Sequence, residues 1–232
     1  MNETTLMMLL GIAAVMIIAV VLGYYAARRR REAMSAWAAS RGWSFIAGEN
    51  HGFDERFGVF DCLQRGSRRY AYNISEGDLN GRRAWAFDYH YETYSSSKHG
   101  RQTHHHYFSA VIVLTDMLLK PLFIRPENFL DKITEFFGYD DIDFESAEFS
   151  RKFYVKSPDK RWAYDVIGQS TMEFLLAAPR FTVQFQGAGI IAYRGKTFEP
   201  ADFESAIEVV EGMLDRLPPS VVREMRPERR DA

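Results

Sequence analysis

The chain has 232 residues, and its 18 phenylalanines, 12 tyrosines and 4 tryptophans can fill a sizeable core. Residues 1–31 contain four arginines and one glutamate, which leaves 25 basic and 30 acidic residues in the remainder, a net charge of −5. Because general nucleic-acid binding needs a basic surface, this balance argues against a nucleic-acid partner.

Residues 6–27 are an uncharged apolar segment of 22 residues. At about 1.5 Å per residue, a helix of this length crosses the roughly 30 Å hydrocarbon core of a bilayer. A cleaved signal peptide would have a basic stretch before a shorter apolar run, whereas Glu3 is the only charged residue before this one. The segment is therefore predicted to be an uncleaved single-pass anchor, with a signal peptide as the minor alternative.

Four consecutive arginines, Arg28, Arg29, Arg30 and Arg31, follow the apolar segment. Lys and Arg in short flanks stay on the cytoplasmic side, so we predict an inner-membrane protein with its N-terminus outside and its domain in the cytosol. The arginines can also pair with anionic headgroups of the lipid bilayer. The single cysteine, Cys62, agrees with a reducing compartment.

Small residues recur every four positions within the anchor, at Ala19, Gly23 and Ala27. This spacing puts them on one helix face and allows another helix to approach closely. The pattern predicts a helix-pairing face, at which either a protein partner or a second copy of the chain, in a homo-oligomer, would pack.

After the anchor, residues 32–42 are rich in helix formers and predict a juxtamembrane helix that ends at Gly42. The pattern then changes to strands, with a short apolar stretch at 57–63. The dipeptide Asn80-Gly81 predicts a tight hairpin. Beyond it, aromatic residues on one face alternate with smaller or polar ones on the other: Trp85, Phe87, Tyr89 and Tyr91.

A loop over residues 94–103 and further strands near 106–115 and 122–124 complete a predicted antiparallel meander of four or five strands. Pro126 then predicts the start of a helix with this apolar stripe: Phe129, Leu130, Ile133, Phe136 and Phe137. A strand at 149–155 and two short helices follow.

The C-terminal part is predicted to contain a second hairpin around residues 187–189 and a last amphipathic helix from Pro200 to Leu217. Its apolar positions recur at helical spacing: Phe203, Ala206, Ile207, Val210 and Met213. Residues 218–232 are charged and predicted to be disordered. The soluble domain would span 43–217, either whole or as subdomains 43–125 and 126–217. The order of elements predicts an α+β fold, a transmembrane helix followed by an antiparallel sheet covered by amphipathic helices.

Three stretches, GDLNGRRAWAFDYHYET at 77–93, LFIRPENF at 122–129 and DIDFESAEFSRKFYV at 141–155, accompany the anchor. With it they resemble a family of uncharacterised prokaryotic membrane-anchored proteins, each an N-terminal transmembrane helix plus one domain. The resemblance implies the architecture and the membrane location, and it supplies no catalytic residue.

The common phosphate-binding, nucleophile-elbow and zinc-protease motifs are absent from the sequence. Five of the six histidines lie within seventeen residues, and His90 and Glu92 share a strand face while His104 and His106 share a face of the next strand. If a hairpin brings these side chains opposite one another, His90, Glu92, His104 and His106 would form a ligand set for Zn²⁺ or another divalent metal. The competing interpretation is that they are solvated side chains at a loop edge.

We therefore expect a membrane-tethered cytosolic domain that acts by binding a protein partner, a lipid headgroup or a second copy of itself, without a cofactor. The alternative is a membrane-anchored metal-dependent hydrolase that uses the histidines with a divalent metal such as Zn²⁺.

Overall fold

The computed structural model describes residues 3–97, 100–127 and 141–226. The described part confirms the α+β class, with a long N-terminal apolar helix before a six-stranded antiparallel sheet and further helices. The elements, in chain order, are α1 (Glu3–Ser40), β1 (Ser44–Ile46), α2 (Phe53–Arg56), a 3₁₀ turn (Asp61–Leu63), β2 (Ser67–Leu79), β3 (Arg82–Ser97), β4 (Gly100–Pro126), α3 (Ala147–Lys152), β5 (Phe153–Lys156), α4 (Lys160–Val166), α5 (Gln169–Ala177), β6 (Thr182–Arg194), α6 (Pro200–Leu214) and α7 (Pro219–Met225).

Helix α1 is continuous through the predicted anchor and the predicted juxtamembrane helix, since residues 28–40 contain no glycine or proline to interrupt it. It is long and apolar enough to cross a membrane, and none of its most apolar 18-residue stretch is buried. The helix ends where Gly42 adopts a left-handed conformation, with φ of +68°. Its last turns reach the sheet, because Met34, Trp37 and Ala38 are buried in the core.

The sheet is built around two hairpins and the long strand β4. Asn80 and Gly81 both have positive φ and close the predicted hairpin between β2 and β3, in which Leu79 is paired with Arg82. Strands β3 and β4 are paired from Ala84–Val113 to Ser97–Gly100. Farther along, β4 is paired with β6 and β5, so it is the common neighbour of three strands.

The two faces of the sheet bury two separate apolar clusters. On one face, Ala84 and Ala86 of β3 belong to a cluster that includes Trp37 of α1 and Phe203 of α6. The predicted alternation of the aromatic row is confirmed: Trp85, Phe87 and Tyr89 all lie on the other face. There they pack against α2 and the segment after it, which contribute Phe53, Phe57 and Phe60. Helix α1 therefore lies on the face opposite the aromatic row.

The predicted second hairpin at residues 187–189 is wrong. Thr182–Arg194 is one strand, β6, paired along its length with β4. Gly187 has φ of +58° where the β4–β6 register shifts between Leu119 and Leu122 and between Leu114 and Leu119. The glycine thus accommodates an irregularity that bends a continuous strand, rather than a chain reversal.

Two other predictions differ from the structure, and a third lies outside the described residues. The strand expected at 149–155 begins only at Phe153, because the Ser146 hydroxyl accepts a hydrogen bond from the Phe149 N–H and caps helix α3. The tail expected to be disordered contains α7, whose Val221 and Met225 are buried against the core. The apolar stripe expected after Pro126 falls within 128–140, outside the described residues.

Candidate functional site

The β3 side chains on the α1 face change from apolar to polar along the strand. Ala84 and Ala86 lie in the core, and Asp88, His90 and Glu92 follow on the same face. All three polar residues are buried. Because a buried polar group is costly without a partner, each of them must be satisfied by neighbouring elements.

Asp88 is satisfied by α1 and by two other segments of the chain, β2 and β4. Arg30 donates from Nε to Asp88 Oδ2 at 2.8 Å and from Nη2 to Oδ1 at 2.6 Å, a bidentate pair. Arg30 Nη1 also donates to the carbonyl oxygen of Phe198, at 2.7 Å. The Asn73 amide donates to Asp88 at 2.9 Å, and the Ser109 hydroxyl donates to it as well. The pair therefore joins α1 to the middle of the sheet.

Two irregularities in β2 direct polar groups toward the buried polar residues of β3, Asp88 and His90. The β2–β3 register shifts between Ser67 and Tyr70 and again between Tyr72 and Ser75. Arg68 and Asn73, one in each shift, have φ of +48° and +49°. Residues other than glycine rarely adopt this conformation, and β-bulges commonly redirect a group from the regular pleat. Arg68 thus turns its carbonyl toward His90, and Asn73 turns its amide toward Asp88.

His90, Glu92 and His105 form a compact cluster farther along the same face. His90 Nε2 lies 3.1 Å from His105 Nδ1, which lies 3.6 Å from Glu92 Oε1. The other ring nitrogen of His90, Nδ1, is 3.3 Å from the Arg68 carbonyl, and the Tyr94 hydroxyl donates to Glu92 Oε2 at 2.9 Å. Burial lowers the pKa of His90 below the ordinary histidine value, with His105 adding to the effect, so its imidazole is neutral at pH 7.

The cluster borders a cavity of about 340 Å³. Its lining includes His51, Arg68, Tyr70 and Tyr107 together with the three cluster residues. Nε of Arg68 lies 3.8 Å from Glu92 Oε2, and the Arg68 side chain is largely exposed. His90 and Glu92 are buried while His105 is exposed, so the cluster can be reached from the cavity.

The other predicted ligands lie on the opposite face of the same hairpin. His104 is paired with Thr93 and His106 with Tyr91, whereas His105 is paired with Glu92. His104 Nε2 is 2.8 Å from the Ser95 hydroxyl, and the His106 ring stacks on Tyr91 at 4.6 Å. The structure thus brings together His90 and Glu92 of the predicted set, with His105 in place of His104 and His106.

The sequence contained one signal that could have identified His105. In a hairpin, the residue numbers of two facing positions add up to a constant. Glu92 and His105 have the same sum as the paired Ser97 and Gly100, so they face each other. The prediction of a long loop over 94–103 hid this register.

Of the predicted membrane-flanking and helix-pairing residues, Arg30 contacts the domain and the others are exposed. Arg30 faces the domain, while Arg29 and Arg31 are exposed and Arg28 forms an ion pair with Glu32. The helix-pairing residues lie on the exposed part of α1: Ala19, Gly23 and Ala27. A Cβ added at Gly23 would meet no atom within 4 Å, so this face is open to a neighbouring helix.

No family model matches the chain, and no curated protein matches it. Among solved structures, the mycobacterial trehalose monomycolate transport factor A, TtfA, is similar with a TM-score of 0.59 and 14% identity. The similarity covers 83% of this chain and 97% of the TtfA chain. At this identity the comparison establishes a shared fold.

Proposed function

We propose that the chain is a single-pass inner-membrane protein, with its N-terminus outside, whose cytosolic domain acts by binding at the membrane surface. The apolar part of α1 is exposed over a length suited to a bilayer, and the arginines on its domain side favour a cytosolic domain. In this proposal Arg28, Arg29 and Arg31 face the headgroups while Arg30 holds the domain.

The observation that carries the proposal is the continuity of α1 from the predicted span into the core. The Arg30–Asp88 pair and the burial of Met34 and Trp37 fix the helix on the sheet. With no flexible linker in between, the bilayer and the domain would keep one relative orientation. A domain held in this way is suited to present one surface to a membrane partner.

The direction of α1 indicates which surface that is. Trp37 contacts Trp43, whose indole donates to the carbonyl of Asp78 in β2, and Asp78 is paired with Arg83 near the start of β3. Arg30, by contrast, reaches Asp88 farther along β3. Moving along α1 toward the membrane is therefore moving along β3 toward Ser97. The end of the β3–β4 hairpin, residues 93–97 and 100–104, lies on the membrane side, and we name it the β3–β4 arm.

Within the described residues, no further strand is paired with the outer edges of the arm at residues 93–97 and 101–104. Pairing of β2 with β3 reaches only Glu92, and pairing of β6 with β4 begins only at Ser109. Open strand edges present N–H and C=O groups that can pair with an extended segment of another chain. The proposal places partner binding at these edges.

The similar structure suggests the process in which the domain takes part. TtfA is named as a transport factor for trehalose monomycolate. The proposal carries over only the role of an accessory to a membrane transport process, and not that substrate. The hydrolase alternative would require that the histidine cluster first hold a metal ion.

In-cell photo-crosslinking of the full-length protein tests the proposal. A crosslinking residue at exposed Gln102 of the β3–β4 arm should give one discrete adduct with an integral membrane protein, and the same residue at exposed Leu118 should not. The adduct should weaken when Arg30→Ala releases the domain from α1. Equal labelling at both positions would contradict the proposal, as would activity of a C-terminal reporter on the outer side of the membrane.

A further inference from the structure

We propose that His90, Glu92 and His105 bind one divalent transition-metal ion, with Zn²⁺ as the best-suited probe. The proposed binding function needs no metal, so this site is an additional property of the domain. It rests on three side chains from two paired strands and on the groups that orient them.

The donor atoms are spaced as one metal ion requires. One nitrogen from each histidine and one carboxylate oxygen of Glu92 all lie within 4.8 Å of one another. Neighbouring pairs are separated by 3.1 Å, between His90 Nε2 and His105 Nδ1, and by 3.6 Å, between His105 Nδ1 and Glu92 Oε1. Ligands about 2.0–2.1 Å from a tetrahedral Zn²⁺ are about 3.3–3.4 Å apart, between these two values.

The surrounding hydrogen bonds orient the ligands as in known metal centres. A histidine that ligates a metal through one nitrogen usually donates from the other to a carbonyl or carboxylate. The Arg68 carbonyl is in position to accept from His90 Nδ1, which leaves the Nε2 lone pair directed into the cluster. The Tyr94 hydroxyl engages Glu92 Oε2, which leaves Oε1 on the side of His105.

Arg68, which holds His90 through its carbonyl, has a left-handed backbone conformation. Its φ of +48° at a register shift is unfavourable for an arginine, and it is the residue whose carbonyl meets His90. Strained backbone of this kind tends to persist where a functional group must be held in position.

The cavity of about 340 Å³ beside the cluster gives an ion a path in and leaves room for a water or a further ligand. Three protein ligands and one open position are the arrangement of catalytic rather than structural zinc sites. Among the described residues, the Arg68 guanidinium carries the fixed positive charge nearest the carboxylate, on the Oε2 side. Its side chain is 76% exposed, so solvent screens its repulsion of an ion at Oε1.

Titration of the full chain in detergent with Zn²⁺, purified without a histidine tag, tests the site. The wild type should bind one ion per chain in the micromolar range or tighter. His105→Ala and Glu92→Gln should each weaken binding at least tenfold, as the loss of a ligand requires. The matched control is His104→Ala/His106→Ala on the opposite face, which should bind like the wild type.

The side chain of His105 is half exposed, so its replacement should leave the thermal melt unchanged and isolate the ligand effect. Co²⁺ in place of Zn²⁺ should give the visible absorption of a four-coordinate ion in the wild type and the control, and lose it in His105→Ala. Binding of the wild type no tighter than millimolar would overturn the proposal. So would a control pair that loses as much affinity as His105→Ala.

Discussion

Arg30 of the helix that carries the apolar segment forms a bidentate ion pair with Asp88 of β3, at 2.6 and 2.8 Å. The Asp88 side chain is inaccessible to solvent, and that of Arg30 is 20% exposed. The two residues are 58 positions apart in the sequence. One arginine that follows the apolar segment thus neutralises a charge in the interior of the domain, and this couples the apolar helix to the fold.

Replacing Arg30 by alanine should destabilise the domain by about 3–5 kcal/mol, because it leaves the Asp88 carboxylate buried without its counter-charge. Thermal unfolding of the full chain in detergent measures the effect. Arg29→Ala, an exposed neighbour on the same helix, is the matched control and should change the stability by no more than about 0.5 kcal/mol. Equal effects of the two substitutions would show that the pair does not hold the helix to the sheet.

The double variant Arg30→Ala/Asp88→Asn should recover part of that loss, since the uncompensated charge is removed along with the arginine. The coupling free energy from the double-mutant cycle separates the ion pair from the packing of the arginine stem. A double variant that is less stable by the sum of the two single losses would contradict this account.

The same relationship predicts where a soluble fragment can begin. A fragment that starts at residue 28 keeps Arg30, Met34 and Trp37, whose ring stacks on Phe203 at 5.4 Å. A fragment that starts at residue 43 lacks those contacts and leaves the buried Asp88 without its arginine. We expect the first to unfold cooperatively in a thermal melt and the second to unfold at a lower temperature or without cooperativity. Identical melts would mean that α1 adds nothing to the domain.

Local pattern was sufficient for much of this fold. Asn80-Gly81 fixes its hairpin because both residues tolerate positive φ, and the aromatic row from Trp85 to Tyr89 alternates because the pairing of β3 with β4 has no interruption there. The apolar stripe of α6 follows from its 3.6-residue period, and Phe203 and Ile207 are buried as predicted. Each of these features depends on residues close together in the sequence.

The rest depended on relationships that local pattern does not contain. The bulge at Asn73 places Tyr72 opposite Asp88 and turns Ile74 to the other face of the sheet. In a regular strand, Tyr72 and Ile74 would share one face, because they are two residues apart. Arg30 belongs to a run of arginines that is typical of a membrane flank, and its partner, Asp88, lies 58 residues farther along the chain. His105 joins His90 only through the register of the hairpin. These long-range and irregular features are the ones that build the candidate site.

Asp61 predicts a pH dependence of stability. Burial raises the pKa of its carboxyl above the ordinary value of 3.8, although Gln184 donates a hydrogen bond to it. The folded state therefore binds this proton more tightly than the unfolded state. The resulting stabilisation is complete below the unfolded pKa and is lost as the pH rises through the folded pKa.

At neutral pH the ionised Asp61 carboxylate is thus a cost to the fold. Asp61→Asn, which can still accept from Gln184, should raise the melting temperature at about pH 7, and the gain should shrink toward about pH 4. Asp143→Asn removes an exposed carboxylate and controls for the change in net charge. A variant that is less stable than the wild type at neutral pH would contradict the prediction.

The direction of α1 along β3 predicts that the β3–β4 arm lies close to the bilayer. Arg30 is three residues beyond the predicted span, or about 5 Å at the rise of a helix, and β3 continues from Asp88 toward the same side. A fluorophore on Thr103→Cys should therefore be quenched by lipids with a quencher in the headgroup when the full chain is in nanodiscs. One on Leu118→Cys, exposed beyond the opposite end of the β3–β4 pairing, should be quenched much less. Cys62 is buried and should not react, so each label reports one position.

Loss of the difference in quenching in the Arg30→Ala variant would tie the orientation of the domain to the ion pair. Stronger quenching at position 118 than at position 103 in the wild type would mean that the domain faces the membrane with its other end.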